Sequence, residues 1–296
     1  MSRIQQILSK AERDGTARRV SPIGEIGESV VRTTPAAVER RPEPDPYDEP
    51  DDELSADEPI EPVSYAAPLG TAQVSSDVLL DPVLVAALHP MSPAAEQYRT
   101  LRSRIAQAEN GQPIRVIQVT SPSNGDGKTI TTVNLALTMA QEFQRRVLVV
   151  DADLRQPSVH ELFNLEAGPG LVDVLTGAAA LEEALVEIPQ YHLTVLRAGR
   201  SYDRPAEMLG SGPMRRLMDG LRTQFDRIVV DSAPATVADP VSLAPLADRL
   251  LLVVRAGSTT KPAIARALGA LASTNLLGLV FNESGTTLPP RYGASA

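Results

Sequence analysis

The chain has 296 residues, 43% hydrophobic and 3% aromatic, with 28 Lys and Arg against 37 Asp and Glu, a length that suits one or two domains with a full core. A formal charge of −9 without any basic stretch excludes an electrostatic footprint for nucleic acid or anionic lipid. The absence of cysteine excludes disulfides and thiolate metal sites and suits a reducing cytoplasm.

The charge is concentrated at the amino end, where residues 1–75 carry 8 basic and 15 acidic side chains. Residues 1–15 place Ile4, Ile7, Leu8 and Ala11 at helical spacing, which predicts a short amphipathic helix. It lacks the apolar core of a signal peptide. Residues 16–77 turn to Pro, Glu, Asp and Ala, as in RRPEPDPYDEPDDELSADEPIEP, with Tyr47 and Tyr65 among them. So little apolar surface cannot offset ordering entropy, and a disordered acidic linker is expected.

Order is expected from residue 78 to 282, beginning near Leu79. Ser92-Pro93 reads as a helix start and Asn110-Gly111 as its stop. Ala94, Tyr98, Leu101 and Ile105 would form its buried face, with Glu96, Arg99 and Arg102 on an adjacent polar arc. On spacing alone that arc is a solvated charged face.

Ile114 to Thr120 reads as a strand, and Lys128 onward as a helix carrying Val133, Leu135, Ala136 and Met139. Between them lies SPSNGDG, which with Lys128 and Thr129 forms a phosphate-binding loop. Gly125 and Gly127 let backbone N–H groups converge on an anion at a helix N-terminus. Lys128 would reach the β- and γ-phosphates of a nucleotide and Thr129 would ligate Mg²⁺. One departure from G-x-x-x-x-G-K-[ST] is Pro122 in place of the first glycine.

Arg146 to Val150 is an apolar strand ending at Asp151, with Asp153 two residues on. Open α/β sheets bind ligands at that strand edge. Two carboxylates there could hold Mg²⁺ and accept a proton from an attacking hydroxyl, whereas a helix N-cap explains only one of them. Residues 158–189 read as short helices, His192 to Arg197 as a strand, and Pro205 to Leu209 and Met214 to Phe225 as helices. FDRIVVDSAP is a strand ending at Asp231, in the pattern of an acid that holds Mg²⁺ through water. Arg249 to Val254 and Leu276 to Phe281 are further strands, separated by a helix over Lys261 to Ser273. Residues 283–296 read as a flexible tail containing Tyr292.

Alternating strands and helices predict an α/β fold with a doubly wound, mostly parallel sheet, and the phosphate loop makes it a nucleotide-binding one. No apolar run comes near the length of a membrane span, Leu250 to Val254 reading as a buried strand, so membrane association would come through a partner. His89, His160 and His192 lack metal-ligand spacing. Six tyrosines without tryptophan form no platform for single-stranded nucleic acid, so no nucleic-acid partner is expected.

The set TSPSNGDGKTITTVNLA, VLVVDADLRQPSVHELF, GLVDVLTG, LTVLRAG and FDRIVVDSAP resembles the bacterial tyrosine kinases of capsule and exopolysaccharide synthesis, over roughly residues 90–282. The resemblance implies a P-loop NTPase fold of the deviant Walker, MinD-like type and an ATP- and Mg²⁺-dependent autokinase. Asn124, Gly125, Asp126, Gly127, Lys128, Thr129 and Ile130 would hold the nucleotide phosphates, and Asn282 would contact the adenine. Thr129, Asp153 and Asp231 would hold Mg²⁺. Lys128, Asp151 and Asp153 would be catalytic, Asp151 taking the tyrosine proton.

Glu96, Arg99 and Arg102 match the family's E-x-x-R-x-x-R helix, which implies a subunit contact in a ring-shaped homo-oligomer. The family also pairs the kinase with a membrane-embedded polysaccharide co-polymerase, which would act here in trans and recruit the cytoplasmic chain to the inner face of the membrane. The family's tail carries a tyrosine cluster, whereas this tail has Tyr292 alone, which leaves Tyr292 and Tyr47 as candidate phosphoacceptors. Two other readings share the fold. One is a positioning ATPase of the ParA/MinD type, although its signature lysine is missing from Ser121-Pro122-Ser123. The other is a nucleotide-sensing adaptor of an export complex.

Overall fold

The structure, a computed structural model, describes residues 73–74, 78–142 and 145–283. The expected helix over 1–15, the acidic segment with Tyr47 and the tail with Tyr292 lie outside them.

Eight strands form one sheet: β1 (Gln73–Val74), β2 (Val116–Thr120), β3 (Val147–Ala152), β4 (Leu185–Ile188), β5 (Leu193–Leu196), β6 (Arg227–Ser232), β7 (Arg249–Arg255) and β8 (Leu276–Asn282). Their order is β1-β4-β5-β3-β6-β2-β7-β8. Every described pairing is parallel except β4 with β5. β2, β3 and β6 are buried along their whole length, which is why Val, Ile and Leu dominate them.

The pleat sends alternate residues to opposite faces. Val116, Leu148, Val150, Ile228 and Val230 face one apolar core. Ile117, Val119, Val149, Val229 and Val253 face the other. Helices cover both faces: α1 (Val85–Leu88), α2 (Pro93–Gln107), α3 (Lys128–Ala140), α4 (Val159–Leu162), α5 (Leu171–Leu175), α6 (Leu181–Ala184), α7 (Pro205–Leu209), α8 (Gly212–Gln224), α9 (Asp239–Leu243) and α10 (Lys261–Ala270). The doubly wound expectation holds.

The central helix, α3, is buried on nearly every side, so its polar residues need internal partners. Asn134 supplies one set: its Oδ1 accepts from Ala86 N (2.9 Å) and its Nδ2 donates to Val83 O (3.1 Å), tying the entering chain to the helix. Helix α2 starts as the sequence implies, with Ser92 Oγ accepting from Ala95 N at 3.2 Å and Pro93 in the first turn. Asn110 and Gly111 both take positive φ after it.

Four details differ from the sequence reading. Ala95, not Ala94, is the buried alanine of α2, a rotation of one position. Helix α10 stops at Ala270 instead of reaching Ser273. Strand β4 lies where only helices were expected, because LVEI directly follows the helical run of α6 and pairs with β5 through a tight reversal. Strand β1 falls inside the stretch expected to be linker, pairing Gln73 with Val186 at the sheet edge.

Candidate nucleotide and phosphoryl-transfer site

The carboxyl ends of β2, β3, β6, β7 and β8 meet at one edge of the sheet, and each delivers part of the site. Between β2 and α3, Gly125 (φ 81°) and Gly127 (φ 92°) adopt the left-handed conformation open to glycine. At Gly127 there is also no space, since a Cβ would come within 2.0 Å of Asn282 Nδ2. The loop is braced from the far end of the chain. Asp126 Oδ1 accepts from Thr259 Oγ1 (2.6 Å), Asp126 Oδ2 accepts from Ser123 N (2.8 Å), and Asn282 Nδ2 donates to Asp126 O (3.2 Å). Asn124 and Gly125 are exposed at its tip, and Ile130 is half-buried on the first turn of α3.

Lys128 stands among three buried carboxylates. Its Nζ is 2.7 Å from Asp153 Oδ2 and 3.6 Å from Asp231 Oδ2. Those charges outweigh the burial of the ammonium and raise its pKa. Thr129 Oγ1 donates to Asp231 Oδ2 at 2.6 Å and Thr132 Oγ1 lies 3.3 Å from Asp231 Oδ1. Asp231 is fully buried and pushed up to about 6, mainly by loss of water, against the pull of Lys128 and these hydroxyls.

Asp151 is also fully buried. Its Oδ2 accepts from Ser158 N (3.1 Å) and Val159 N (3.0 Å), and its Oδ1 from Asp153 N (3.3 Å). Burial first, and the charge of Asp231 second, push it up to about 8. A carboxyl so raised holds its proton more tightly than an ordinary one and, once ionised, is the stronger proton acceptor. Asp153 Oδ1 accepts from Gln156 N at 3.1 Å. Arg155, next along, forms a two-pronged contact with the buried Asp239 at 2.7 and 3.0 Å.

The residues fit a nucleotide with Mg²⁺. Among the described residues no group of three or more carboxylates or imidazoles is placed to hold a metal alone. The donors here are instead one hydroxyl, Thr129 Oγ1, and the carboxylates of Asp231 and Asp153. Mg²⁺ is commonly held in this way, by one or two carboxylates with nucleotide phosphates and water completing the shell. Asp153 Oδ2 is buried, with the Lys128 ammonium 2.7 Å away as its partner.

The structure brings Lys128, Thr129, Asp151, Asp153 and Asp231 into one cluster and sets Asn282 against the phosphate loop. Glu96, Arg99 and Arg102 lie apart, on α2. Arg99 pairs with Glu96 in its own helix (2.7 Å) and donates to Pro90 O (2.6 Å). Arg102 donates to Thr138 O at the carboxyl end of α3 (2.6 Å). The sequence reading missed Thr132 and Ser158. Thr132 had a signal, its position four residues after Lys128 on the same helix face; Ser158 had none.

A family model described as "AAA domain" matches residues 114–260. Tyrosine-protein kinase YwqD of Bacillus subtilis (strain 168) is 37% identical over 213 residues, covering 71% of this chain and 90% of YwqD. The succinoglycan biosynthesis transport protein ExoP of Rhizobium meliloti is 33% identical over 201 residues, 66% of this chain but 25% of ExoP. The solved structure of the BceF tyrosine kinase domain is 33% identical and aligns with a TM-score of 0.61, covering 68% of this chain and 82% of that one. With its phosphate loop, two acidic strand ends and a relative matched over nine-tenths of its length, the chain belongs to the bacterial tyrosine kinase family.

Proposed function

We propose that the chain is an ATP-dependent protein-tyrosine autokinase that regulates polymerisation or export of an exopolysaccharide. The observation that carries this reading is Asp151. A metal held by Thr129, Asp153 and Asp231 leaves this third buried acid outside the metal's shell, held by the amides of Ser158 and Val159 beside the cluster, where its ionised carboxylate is placed to take a phenol proton.

The chain's residues divide the work as follows. The loop from Asn124 to Gly127 and the first turn through Ile130 would cradle the phosphates with backbone N–H groups. Lys128 would neutralise the β- and γ-phosphates, exchanging its present carboxylate partners for phosphate oxygens. Mg²⁺, when bound through Thr129, Asp153 and Asp231, would supply charge neutralisation for the transferred group. The acceptor phenol would give its proton to a carboxylate oxygen of Asp151, displacing one of the amides of Ser158 and Val159. Asn282, already bonded to the loop backbone, would border the adenine.

The regulatory part rests on kinship with ExoP, a protein named for succinoglycan biosynthesis and transport. No helix among the described residues is long and apolar enough to cross a membrane. A membrane-embedded co-polymerase acting in trans would recruit and activate the chain at the inner membrane face. Glu96, Arg99 and Arg102, on the partly exposed face of α2, would contact a neighbouring subunit in a ring. Tyr292 and Tyr47 are the candidate acceptors. The test is incubation with Mg²⁺ and γ-labelled ATP, with and without a peptide from the activator, followed by mapping of labelled residues. Phosphotyrosine is expected, and its absence under both conditions would overturn the proposal.

A further inference from the structure

A cavity of about 410 Å³ lies beside the catalytic acids, with Pro157, His160, Gly168, Asp173, Arg197 and Arg200 in its wall. It shares a loop with the reaction centre. Pro157 and His160 flank Ser158 and Val159, whose amides hold Asp151 Oδ2. An acceptor whose phenol meets Asp151 would therefore lay its neighbouring residues into or against this cavity.

Arg197 follows β5 and is 7% exposed. Its NH1 donates to Glu166 O at 2.7 Å, while Nε and NH2 are buried without a hydrogen-bond partner. Unpaired donors on a buried guanidinium are costly, and native proteins rarely leave them without a purpose. Space is kept for the group, since a Cβ on Gly168 would come within 2.6 Å of Arg197 NH2. Arg200 is more exposed, with Nε 3.4 Å from Asp173 Oδ1 and NH2 donating to Thr176 Oγ1 at 2.7 Å. Asp173 is the one carboxylate in the wall and is already bonded to Gly170 N at 2.9 Å. Two guanidiniums against one carboxylate leave the cavity cationic, and the phosphoryl-transfer residues use neither of them.

We propose that this cavity binds acidic side chains of the acceptor peptide, and that the acceptor it selects is the segment of this chain around Tyr47. The inference rests on the kinase reading above. Tyr47 is followed by Asp48, Glu49, Asp51, Asp52 and Glu53 and preceded by Glu43 and Asp45. Tyr292 is preceded by Pro-Pro-Arg, and the nearest acid is Glu283. Carboxylates on paired guanidiniums form strong, directional hydrogen bonds, and opposite charges across a contact choose between partners. Reach is no obstacle: about 26 residues separate Tyr47 from Gln73, roughly 90 Å when fully extended.

The test uses the full chain with Mg-ATP and two peptides, residues 41–55 and residues 284–296. The 41–55 peptide is expected to be phosphorylated with a kcat/KM at least about tenfold higher. Arg200→Glu, an exposed substitution that leaves the core intact, should remove most of that preference through the KM for peptide rather than the KM for ATP. Arg197→Gln should do the same, and replacing Asp48 and Glu49 of the peptide by Asn and Gln should mimic both. Equal use of the two peptides, or a preference unchanged in Arg200→Glu, would overturn the inference while leaving the kinase reading in place. Label on neither peptide while the chain itself gains phosphotyrosine would likewise overturn the inference alone, and no phosphotyrosine on the peptides or the chain would overturn the kinase reading itself.

Discussion

Lys128→Met removes the cation nearest three buried carboxylates. At 2.7 and 3.6 Å from Asp153 and Asp231, its gross attraction is about 6 and about 5 kcal/mol respectively at an effective dielectric of 20. Most of that is offset by desolvation. Removing one partner of a buried ionic cluster costs about 3–5 kcal/mol, or about 6–20 °C of melting temperature for a domain of this size. The loss must depend on pH. Asp231 and Asp151 are raised to about 6 and about 8, above their unfolded values. Their neutral forms therefore favour the fold, and that stability is lost as pH rises through 6 and 8. Without Lys128 both values climb further, so the loss continues to higher pH. Thermal unfolding without nucleotide or Mg²⁺ from pH 5 to 8.5 should show the variant less stable throughout, because Asp153 has lost its nearest cation, with a gap that widens from pH 5 to pH 8. Equal separation across that range would refute the electrostatic reading of the cluster.

Gly127→Ala should destabilise by about 2–3 kcal/mol, combining a left-handed alanine with displacement of Asn282 from Asp126 O; adding Asn282→Gly should recover part of the thermal stability but not all. Arg155→Ala leaves the buried Asp239 unpaired and should cost about 1–3 kcal/mol in chemical denaturation, and Arg155→Lys should not rescue it, because the two-pronged contact needs the guanidinium fork. Arg99→Ala with Arg102→Ala should lower the mass measured by light scattering; an unchanged mass would contradict the subunit contact. Deletion of residues 16–70 spares Gln73 and Val74 of β1 and should leave the melting temperature within a few degrees, whereas a large drop would mean that the acidic segment is folded.

The site's reactive groups were legible because each sits inside a short, contiguous pattern. A buried apolar strand ending in an acid marks Asp151 and Asp231, and a glycine-bounded loop before a helix marks Lys128 and Thr129. What braces them was not legible. Asp126 meets Thr259 across 133 residues and Asn282 across 156, and Arg155 meets Asp239 across 84. Such pairs arise only when the sheet order brings distant strand ends together, and no local period encodes that order. Strand β4 was hidden for a different reason: its four residues follow a helical turn without a break, and its pairing with β5 decides the conformation.

The most direct test measures both fates of the γ-phosphate in one reaction. Full-length protein, Mg²⁺ and γ-labelled ATP are combined with the activator peptide, and label on tyrosine is compared with phosphate released to water, for wild type and for Asp151→Asn. Tyrosine labelling that exceeds release, and that collapses in Asp151→Asn while ATP still binds, is the expected result. Release to water without tyrosine label, unchanged in Asp151→Asn, would contradict the tyrosine kinase reading and leave an ATPase.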